Sequence, residues 1–282
     1  MQMSNKDNIG PQRLFSGAVA MIVVNYGGGT NSTALIIKAI EHGVRPNIVV
    51  FADTGSERPE TYAYLDVFRH YLARYGMTLD TVRWIRRDGS FTPLHEDCEA
   101  KHTLPSKAFG MAGCTTKWKQ QPVDKWLKTH DSVRQERRLN GWKPIERWIG
   151  YDADEPERAD RMAAKNPQPD WWTWRAPLVE WKMGRAECIE TIQHAGLPLP
   201  GKSACWMCPS SKPREVLELG RTHPQLLARA LQIEASAELS AVKGLGRSWS
   251  WASVVDADRR QLRLPLMTHT IEIECGCYDG ND

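Results

Sequence analysis

Hydrophobic and polar positions in the first half of the chain follow two periods in turn. Residues 18–24 and 47–52 are short apolar runs rich in β-branched side chains and predict buried strands, and residues 79–85 predict a third. Between them, apolar residues recur at helical spacing in two segments that end at Gly43 and Gly76. This alternation predicts an α/β fold with a parallel sheet covered on both faces.

The second half of the chain has less regular patterns. They predict a loop with a short helix at 88–113, a helix at 115–130 that Pro122 begins or kinks, a strand at 145–150, a charged helix at 154–164, mostly helix at 211–243 and short strands after 248. The first residues, 1–15, are expected to form a loose tail.

A glycine-rich stretch separates the first predicted strand from the first predicted helix. It consists of Gly27, Gly28, Gly29, Thr30, Asn31 and Ser32. Glycines let the backbone approach a ligand closely, and the hydroxyls of Ser32 and Thr33 can cap the helix. Because the first amides of the helix point at the turn, the arrangement favours a phosphate or pyrophosphate group. A tight turn without any ligand is the alternative.

Residues 27–32 resemble the PP-loop of ATP pyrophosphatases, Ser-Gly-Gly-x-Asp-Ser, whereas the Walker lysine and the G-x-G-x-x-G spacing are missing. Gly27 replaces the first serine of that pattern, and Asn31 replaces the aspartate. Asn31 can form hydrogen bonds but carries no negative charge. Phosphate binding tolerates this change more easily than a role in placing Mg²⁺ does. Asp53 and Thr54 end the second predicted strand beside this turn, where open α/β sheets bind ligands.

Composition and charge bound the class of protein. The chain has 282 residues, 41% of them hydrophobic and 25% charged, as in an ordinary globular protein. Its formal charge of +3 is too small to indicate nucleic-acid binding by itself. The apolar runs are too short to span a bilayer and residues 1–12 lack the apolar segment of a signal peptide, so we expect a cytoplasmic protein without a membrane partner.

Seven cysteines in such a chain suggest metal or redox chemistry rather than a disulfide framework. Cys205 and Cys208 form a C-x-x-C, and Cys114 lies far earlier in the chain. If the fold brings the three thiolates together, they suit a [4Fe–4S] cluster with one open iron, or a Zn²⁺ site with an outside ligand. Ordinary buried cysteines are the alternative.

The other four cysteines have different contexts. Cys98 and Cys188 have neighbours typical of helices, and we interpret both as packing residues. Cys275 and Cys277 lie near the carboxyl end, where a flexible tail can bring a nucleophilic thiolate into a site. A structural pair or a fourth cluster ligand remain open for them.

Two further segments carry candidate nucleic-acid contacts. The basic segment 132–147 contains Arg134, Arg137, Arg138, Lys143 and Arg147. It is interpreted as a solvated surface, with contact to a nucleic-acid backbone as the alternative. The tryptophans of the second segment are Trp171, Trp172, Trp174 and Trp181. They are expected to pack a small subdomain, with stacking on bases as the alternative.

Five ordered blocks together resemble the phosphoadenosine phosphosulfate reductase family, and more narrowly its phage- and prophage-encoded branch. The blocks are residues 51–57, 114–122, 150–158, 177–181 and 203–209. The resemblance covers roughly residues 15 to 235. It implies a Rossmann-like parallel sheet of the PP-loop (adenine nucleotide alpha hydrolase) type, with a nucleotide-binding domain at 16–200 and a mainly helical, cysteine-containing region at 201–282.

The resemblance also implies roles for individual residues. An adenine nucleotide is expected at the glycine stretch 27–32, with Asp53, Thr54, Gly55 and Gly150 lining its pocket. Lys119 and Arg158 match positions where the family keeps basic residues near phosphates, and either can stabilise charge on a transferred phosphoryl group. A surface ion pair with Glu155 is the alternative for Arg158.

The family divides by chemistry. Its sulfurtransferase relatives adenylate a substrate, and several hold a [4Fe–4S] cluster through three cysteines. Its adenylyl sulfate reductases use a paired cysteine with C-x-x-C and a mobile Glu-Cys-Gly tail. Here Gly113 replaces the first cysteine of that pair, which favours sulfur transfer, whereas Glu274-Cys275-Gly276 is similar to the reductase tail.

The sequence therefore leads to the hypothesis of a PP-loop enzyme that binds ATP with Mg²⁺, adenylates a substrate and transfers sulfur to it. A cluster on Cys114, Cys205 and Cys208 would carry the sulfur. tRNA, DNA or a small molecule could be the acceptor, a donor protein could supply sulfur, and a phage-encoded enzyme would work in a bacterial cytoplasm. Reduction of phosphoadenylyl or adenylyl sulfate by Cys275, and nucleotide binding without turnover, are the alternatives.

Overall fold

The computed structural model describes residues 21–105, 107–108, 111–164, 168–239 and 242–262. The strands are β1 (Ile22–Tyr26), β2 (Ile48–Asp53), β3 (Leu79–Arg83), β4 (Lys107–Ala108), β5 (Met111–Ala112), β6 (Ile145–Ile149) and β7 (Trp172–Arg175). The helices are α1 (Thr30–Glu41), α2 (Pro59–Ala73), α3 (Leu94–Ala100), α4 (Gly113–Thr115), a π-helix (Thr116–Gln120), α5 (Gln121–Thr129), α6 (Asp131–Leu139), α7 (Pro156–Ala164), α8 (Pro177–Glu180), α9 (Arg185–His194), α10 (Pro213–Thr222), α11 (Pro224–Ser236) and α12 (Trp251–Leu262).

Five strands form one parallel sheet in the order β3-β2-β1-β6-β7. The chain builds the sheet outward from β1 to β3 and then returns to add β6 on the other side of β1. This reversal creates a topological switch point between β1 and β6, where open α/β sheets bind ligands at the carboxyl ends of the strands. The predicted α/β fold class, a Rossmann-like parallel sheet followed by helices, is confirmed.

The two faces of the sheet are covered because strand side chains alternate between them. In β1, Ile22, Val24 and Tyr26 pack in a core with α1, α2 and α9, whereas Val23 packs in a second core with α5 and α6. Each buried aliphatic side chain contributes about 1.5 to 3 kcal/mol through removal from water. Burial on both faces explains why the strands read as continuous apolar runs.

A third core lies at the carboxyl-terminal side, where α10, α11 and α12 enclose Trp251 and pack against Leu94 and Trp118. The segment just before α10 joins this core to the sheet. Residues Glu57 and Cys205 form an antiparallel bridge, flanked by a hydrogen bond from the Trp206 amide to the Ser56 carbonyl at 3.0 Å. The C-x-x-C is therefore fastened to the loop that follows β2.

Two expectations from the sequence are wrong. Residues 251–262 form α12 rather than short strands. The tryptophans at 171–181 do not form a separate subdomain: Trp172 lies in β7 of the main sheet, and Trp181 packs against the core that contains α1. In both cases packing against distant elements, and not the local sequence pattern, determines the structure.

Some expectations fall outside the described residues, namely the tail at 1–15, Cys275 and Cys277. The predicted division into domains at residue 200 likewise stays a prediction. In the part of the chain that the structure describes, no helix combines the length and apolar character needed to cross a membrane.

The start of α12 depends on one buried carboxylate. Glu234 Oε1 accepts hydrogen bonds from the amides of Leu245 at 2.6 Å and Trp251 at 2.8 Å, and Oε2 accepts one from the Ala252 amide at 2.9 Å. Glu234 is only 6% exposed, and its bonds to the Leu245 and Trp251 amides are buried, so water cannot easily replace it there. Hydrogen bonds to a charged acceptor are the stronger kind, and this carboxylate satisfies three donors at once.

We expect Glu234→Gln to lower the free energy of unfolding by about 1 to 3 kcal/mol, because an amide NH₂ would face backbone donors. Urea unfolding followed by circular dichroism measures the change. Glu238→Gln, the same substitution at an exposed site, is the matched control and should change stability by less than about 0.5 kcal/mol. Equal effects of the two substitutions would contradict the role of Glu234.

Candidate functional site

The glycine turn, residues 27–29, lies at the switch point between β1 and β6. Gly28 has a φ of +75°, and a Cβ there would lie 3.0 Å from the Thr61 methyl group, so only glycine fits easily. Ser32 Oγ accepts a hydrogen bond from the Gly27 amide at 3.2 Å and donates to the Gly29 carbonyl at 3.1 Å. Among the described residues no side chain caps α1, so its first amides remain available to an anion.

The expected role of Ser32 and Thr33 as helix caps is therefore wrong in detail. Both hydroxyls donate to the Gly29 carbonyl, with Thr33 Oγ1 at 2.9 Å. They therefore stabilise the turn and do not accept hydrogen bonds from the first amides of the helix. This is the more useful arrangement for ligand binding, because a side-chain cap would compete with a phosphate for the same donors.

Gly150, the first residue after β6, closes the other side of the turn. A Cβ on Gly150 would lie 2.7 Å from the backbone nitrogen of Ser32 and 2.8 Å from its Cα. Since neither atom can move without shifting the start of α1, a glycine is needed here. The carboxyl end of β6 is thus pressed against the glycine turn, as a site at the switch point requires.

Asn31 is held from both sides. Its Nδ2 donates to Asp152 Oδ2 at 2.6 Å, and its Oδ1 accepts from Arg185 Nη1 at 2.7 Å. Asp152 is 4% exposed and also accepts from the Asp154 amide at 3.2 Å. The carboxylate missing at position 31 is thus present on a neighbouring residue.

The end of β2 supports the site without facing it. Asp53 Oδ1 accepts hydrogen bonds from the Gly55 amide at 2.8 Å and the Tyr62 hydroxyl at 2.7 Å. Its Oδ2 pairs with Arg83 Nε at 2.8 Å. Asp53 is buried and its oxygens are engaged, so it shapes the loop after β2 rather than presenting a carboxylate to a ligand.

Thr54, the next residue, turns towards the cysteines. Its Oγ1 lies 3.2 Å from Glu57 Oε1 and 3.3 Å from Cys205 Sγ. Glu57 Oε1 in turn lies 3.6 Å from Cys205 Sγ and 2.9 Å from Lys119 Nζ. The Glu57 side chain is fully buried, and its second oxygen, Oε2, has no hydrogen-bond partner among the residues that the structure describes.

The charges of this pocket act on one another. Burial disfavours the ammonium of Lys119, but Glu57 and Cys205 outweigh it and raise the pKa of Lys119. Burial and then Glu57 raise the pKa of the Cys205 thiol well above its usual value, with Lys119 opposing. Burial and Cys208 raise the pKa of Cys114, and Lys119 again opposes. Lys119 is therefore the cation that favours thiolates in this pocket.

The three cysteines predicted as metal ligands thus lie in one region, from two distant segments. Cys114 and Cys205 also pack against the same core. Soft thiol donors beside a compensating cation suit a thiolate-bound metal centre. Within the described residues, however, no three Cys, His, Asp or Glu side chains are arranged to hold a metal ion. The cluster therefore stays a prediction.

Cys98 and Cys188 behave as packing residues, as expected. Each is buried in a hydrophobic core, and burial raises the thiol pKa of each to about 12. Neither is poised to ionise near neutral pH, which separates them chemically from reactive thiols.

Ser203 connects the cysteine segment to the glycine turn. Its hydroxyl donates to the Gly27 carbonyl, and its Cβ lies 3.1 Å from where a Cβ of Gly29 would be. The sequence blocks contain Glu57, Asp152 and Ser203 but gave none of them a role. Arg185 lies in no block, and its contact with Asn31 joins residues more than a hundred positions apart.

The other predicted basic residues are engaged elsewhere. Arg158 Nη1 donates to both carboxylate oxygens of Glu155, at 2.6 and 2.8 Å, and the guanidinium lies over the Tyr151 ring. This ion pair is the alternative that the sequence left open for Arg158. In the basic segment, Arg137 and Arg147 are buried and stack on tryptophans, whereas Arg134, Arg138 and Lys143 are exposed. The three exposed residues precede β6 and therefore lie at the amino ends of the strands, opposite the glycine turn at their carboxyl ends.

We expect Gly150→Ala to lower the free energy of unfolding by about 1 to 3 kcal/mol, since its methyl group would overlap the start of α1. Gly27→Ala is the control from the same turn: its Cβ would meet nothing closer than Ser32 Oγ at 3.7 Å. Thermal and urea unfolding measure both variants. If Gly27→Ala destabilises as much as Gly150→Ala, the close contact does not hold the turn.

Comparisons with known proteins give three findings. No protein-family model matches the chain. An uncharacterised 37.8 kDa protein of Escherichia phage 186 is 27% identical over 285 residues, spanning 87% of this chain and 83% of the phage protein.

Among solved structures, the chain is similar to the U34-tRNA thiolase NcsA of Methanococcus maripaludis, described with its [4Fe–4S] cluster. The TM-score is 0.43 at 15% identity, over 76% of this chain and 70% of that one. At this level of similarity neither relative determines what this chain does, and its function is inferred from its own residues.

Proposed function

We propose that this chain is an ATP-binding PP-loop enzyme that adenylates a substrate and transfers sulfur to it. The observation that carries the proposal is the meeting of an uncapped helix start, a glycine turn and a cysteine segment at the switch point of a parallel sheet. The first two features suit a nucleotide's phosphates. The third brings thiol chemistry to the same place.

Each group has a role in the proposed adenylation. The amides at the start of α1 bind the phosphates, and Gly150 lets the end of β6 pack against that start without a side chain in the way. The substrate oxygen attacks the α-phosphorus of ATP, a P–O bond forms to it, and the bond to pyrophosphate breaks. Lys119 is the nearby cation that can stabilise charge developing on the transferred group, as Arg158 could after leaving Glu155. Mg²⁺ would accompany the polyphosphate.

Sulfur transfer then replaces the activated oxygen. A donor that supplies sulfur at the oxidation level of sulfide attacks the activated carbon, a C–S bond forms, and AMP leaves with the original oxygen. No net oxidation or reduction occurs. When bound, an iron–sulfur cluster on Cys114, Cys205 and Cys208 would supply an open iron coordination site, and Zn²⁺ is the alternative metal. Lys119 would offset the negative charge of the thiolates.

A nucleic acid, tRNA or DNA, is the acceptor that we propose, with a separate protein as sulfur donor. The exposed Arg134, Arg138 and Lys143 and the 60% exposed Trp142 lie in the segment before β6, at the end of the sheet opposite the glycine turn. They would therefore contact a part of a long acceptor that is remote from the reacting atoms. Basic side chains beside an exposed aromatic ring suit a single-stranded segment. Mass spectrometry of nucleosides from cells with and without the protein would reveal a thiolated product, and an unchanged profile would redirect the search to small molecules.

Reduction of phosphoadenylyl or adenylyl sulfate is the second candidate, favoured by Glu274-Cys275-Gly276. In that reaction the Cys275 thiolate would attack the sulfate sulfur, an S–S bond would form and the S–O bond to the nucleotide would break; an external thiol would then form a disulfide with Cys275 and release sulfite. Cys275→Ser should therefore abolish sulfite release. Sulfur transfer should largely tolerate the same substitution.

ATP binding should depend on Gly28. We expect Gly28→Ala to weaken ATP binding about tenfold or more and to slow pyrophosphate release, because the methyl group strains the turn and approaches Thr61. Calorimetry and a pyrophosphate assay measure the two effects. Gly43→Ala is the control, since Gly43 has the same φ of +75° with nothing within 4 Å of a Cβ. ATP that binds but stays intact with every acceptor would favour a nucleotide-binding module.

Metal loading should depend on Cys114, Cys205 and Cys208 and not on Cys98 or Cys188. After anaerobic purification, we expect Cys114→Ser, Cys205→Ser and Cys208→Ser each to lose most of the bound iron and visible absorbance, because each removes a thiolate ligand. Cys98→Ser and Cys188→Ser should keep them, apart from losses that follow reduced stability. An active wild-type protein without iron would remove the cluster from the proposal, and zinc analysis of the same samples tests the alternative metal.

A further inference from the structure

Arg185, the first residue of α9, forms a hydrogen bond with Asn31, the second residue of α1, next to the glycine turn. Arg185 is exposed, and its Nη1 donates to Asn31 Oδ1 at 2.7 Å. Among the residues that the structure describes, no carboxylate lies within 4.0 Å of its guanidinium nitrogens. Its charge is therefore held at the phosphate turn without being neutralised by an ion pair.

The position of Arg185 is fixed independently of its side chain. Its backbone amide donates to Asp154 Oδ2 at 2.7 Å. A Cβ on the preceding Gly184 would lie 2.8 Å from Asp154 Oδ1, so Asp154 packs directly against this corner. Helix α9 also packs along α1, which brings both helix starts to the same place. The guanidinium is thus presented by a rigid support.

Asn31 is the residue that leaves this cation free. An aspartate at position 31 would form an ion pair with Arg185 and would also face Asp152 Oδ2, which lies 2.6 Å from Asn31 Nδ2. The neutral amide does neither: it donates to Asp152 and accepts from Arg185. The departure from the PP-loop pattern therefore keeps a positive charge available where phosphates would bind.

We propose that Arg185 is a specificity-determining residue that binds the terminal phosphates of the nucleotide, with Asn31 as the neutral residue that positions it. The proposal rests on the nucleotide-binding function proposed above. A planar guanidinium uses one of its donors on Asn31 and keeps others for phosphate oxygens. It should therefore distinguish ATP from AMP, which lacks the terminal phosphates.

The experiment compares ATP and AMP binding to the full-length chain by calorimetry, at constant ionic strength with and without Mg²⁺. We expect Arg185→Gln to weaken ATP binding about 10- to 100-fold and AMP binding less than about threefold, as for loss of charge-assisted hydrogen bonds. Arg185→Lys should recover part of the loss. Asn31→Asp should also weaken ATP selectively, because its carboxylate occupies the guanidinium and repels phosphate.

Arg45→Gln is the matched control, since it removes the same charge from an exposed site. Arg45 precedes β2 and lies at the amino ends of the strands, whereas Asn31 and Arg185 lie at the carboxyl ends. It should leave both affinities within about twofold, as expected for a distant, screened charge. AMP binding also reports whether each variant is folded. Equal losses for ATP and AMP, or no loss for ATP, would overturn the role of Arg185 alone. A wild-type chain that binds neither nucleotide would overturn the proposed function and this inference with it.

Discussion

The backbone pairing between the loop after β2 and the segment before α10 is the constraint on which the site depends. The Glu57–Cys205 bridge and the Trp206 amide bond to Ser56 hold two distant parts of the chain together. They place Ser203 on the glycine turn and Cys205 beside Glu57. They also join the carboxyl-terminal helices to the sheet. Without this pairing, the glycine turn and the cysteines would belong to separate structures.

Electrostatics explains why the site is polar at its centre yet stable. Glu57 and Lys119 form a pair in which the carboxylate is fully buried, and removing either partner would leave an uncompensated charge. The same lysine favours ionisation of Cys114 and Cys205 against the effect of burial. Asn31 and Arg185 show the opposite design, because a neutral amide holds a cation without cancelling its charge. The first arrangement balances its charges within the cysteine pocket, whereas the second holds, next to the glycine turn, a guanidinium that forms no ion pair among the described residues.

Much of the scaffold was predictable because it depends on local patterns. The apolar runs predicted β1, β2, β3 and β6, and the glycine turn predicted a strand-to-helix connection. The failures arose where distant contacts decide the outcome. Residues 251–262 become helical with the support of the Glu234 carboxylate, and Trp172 joins β7 because a sheet edge beside β6 accepts it. Neither Glu234 nor β6 is close in sequence to the segment that it supports, so a local sequence pattern does not reveal the contact.

The sequence by itself determined the α/β class, the position of the glycine turn and the identity of the candidate ligand cysteines, because periodicity, backbone freedom and thiol chemistry are properties of the residues. Only the tertiary structure decided which groups meet at the turn. Asp53, expected to line the pocket, is engaged by Tyr62 and Arg83, whereas Arg185 reaches Asn31 across more than a hundred and fifty positions. Such contacts follow from strand order and helix packing, and these are fixed by the folded chain as a whole.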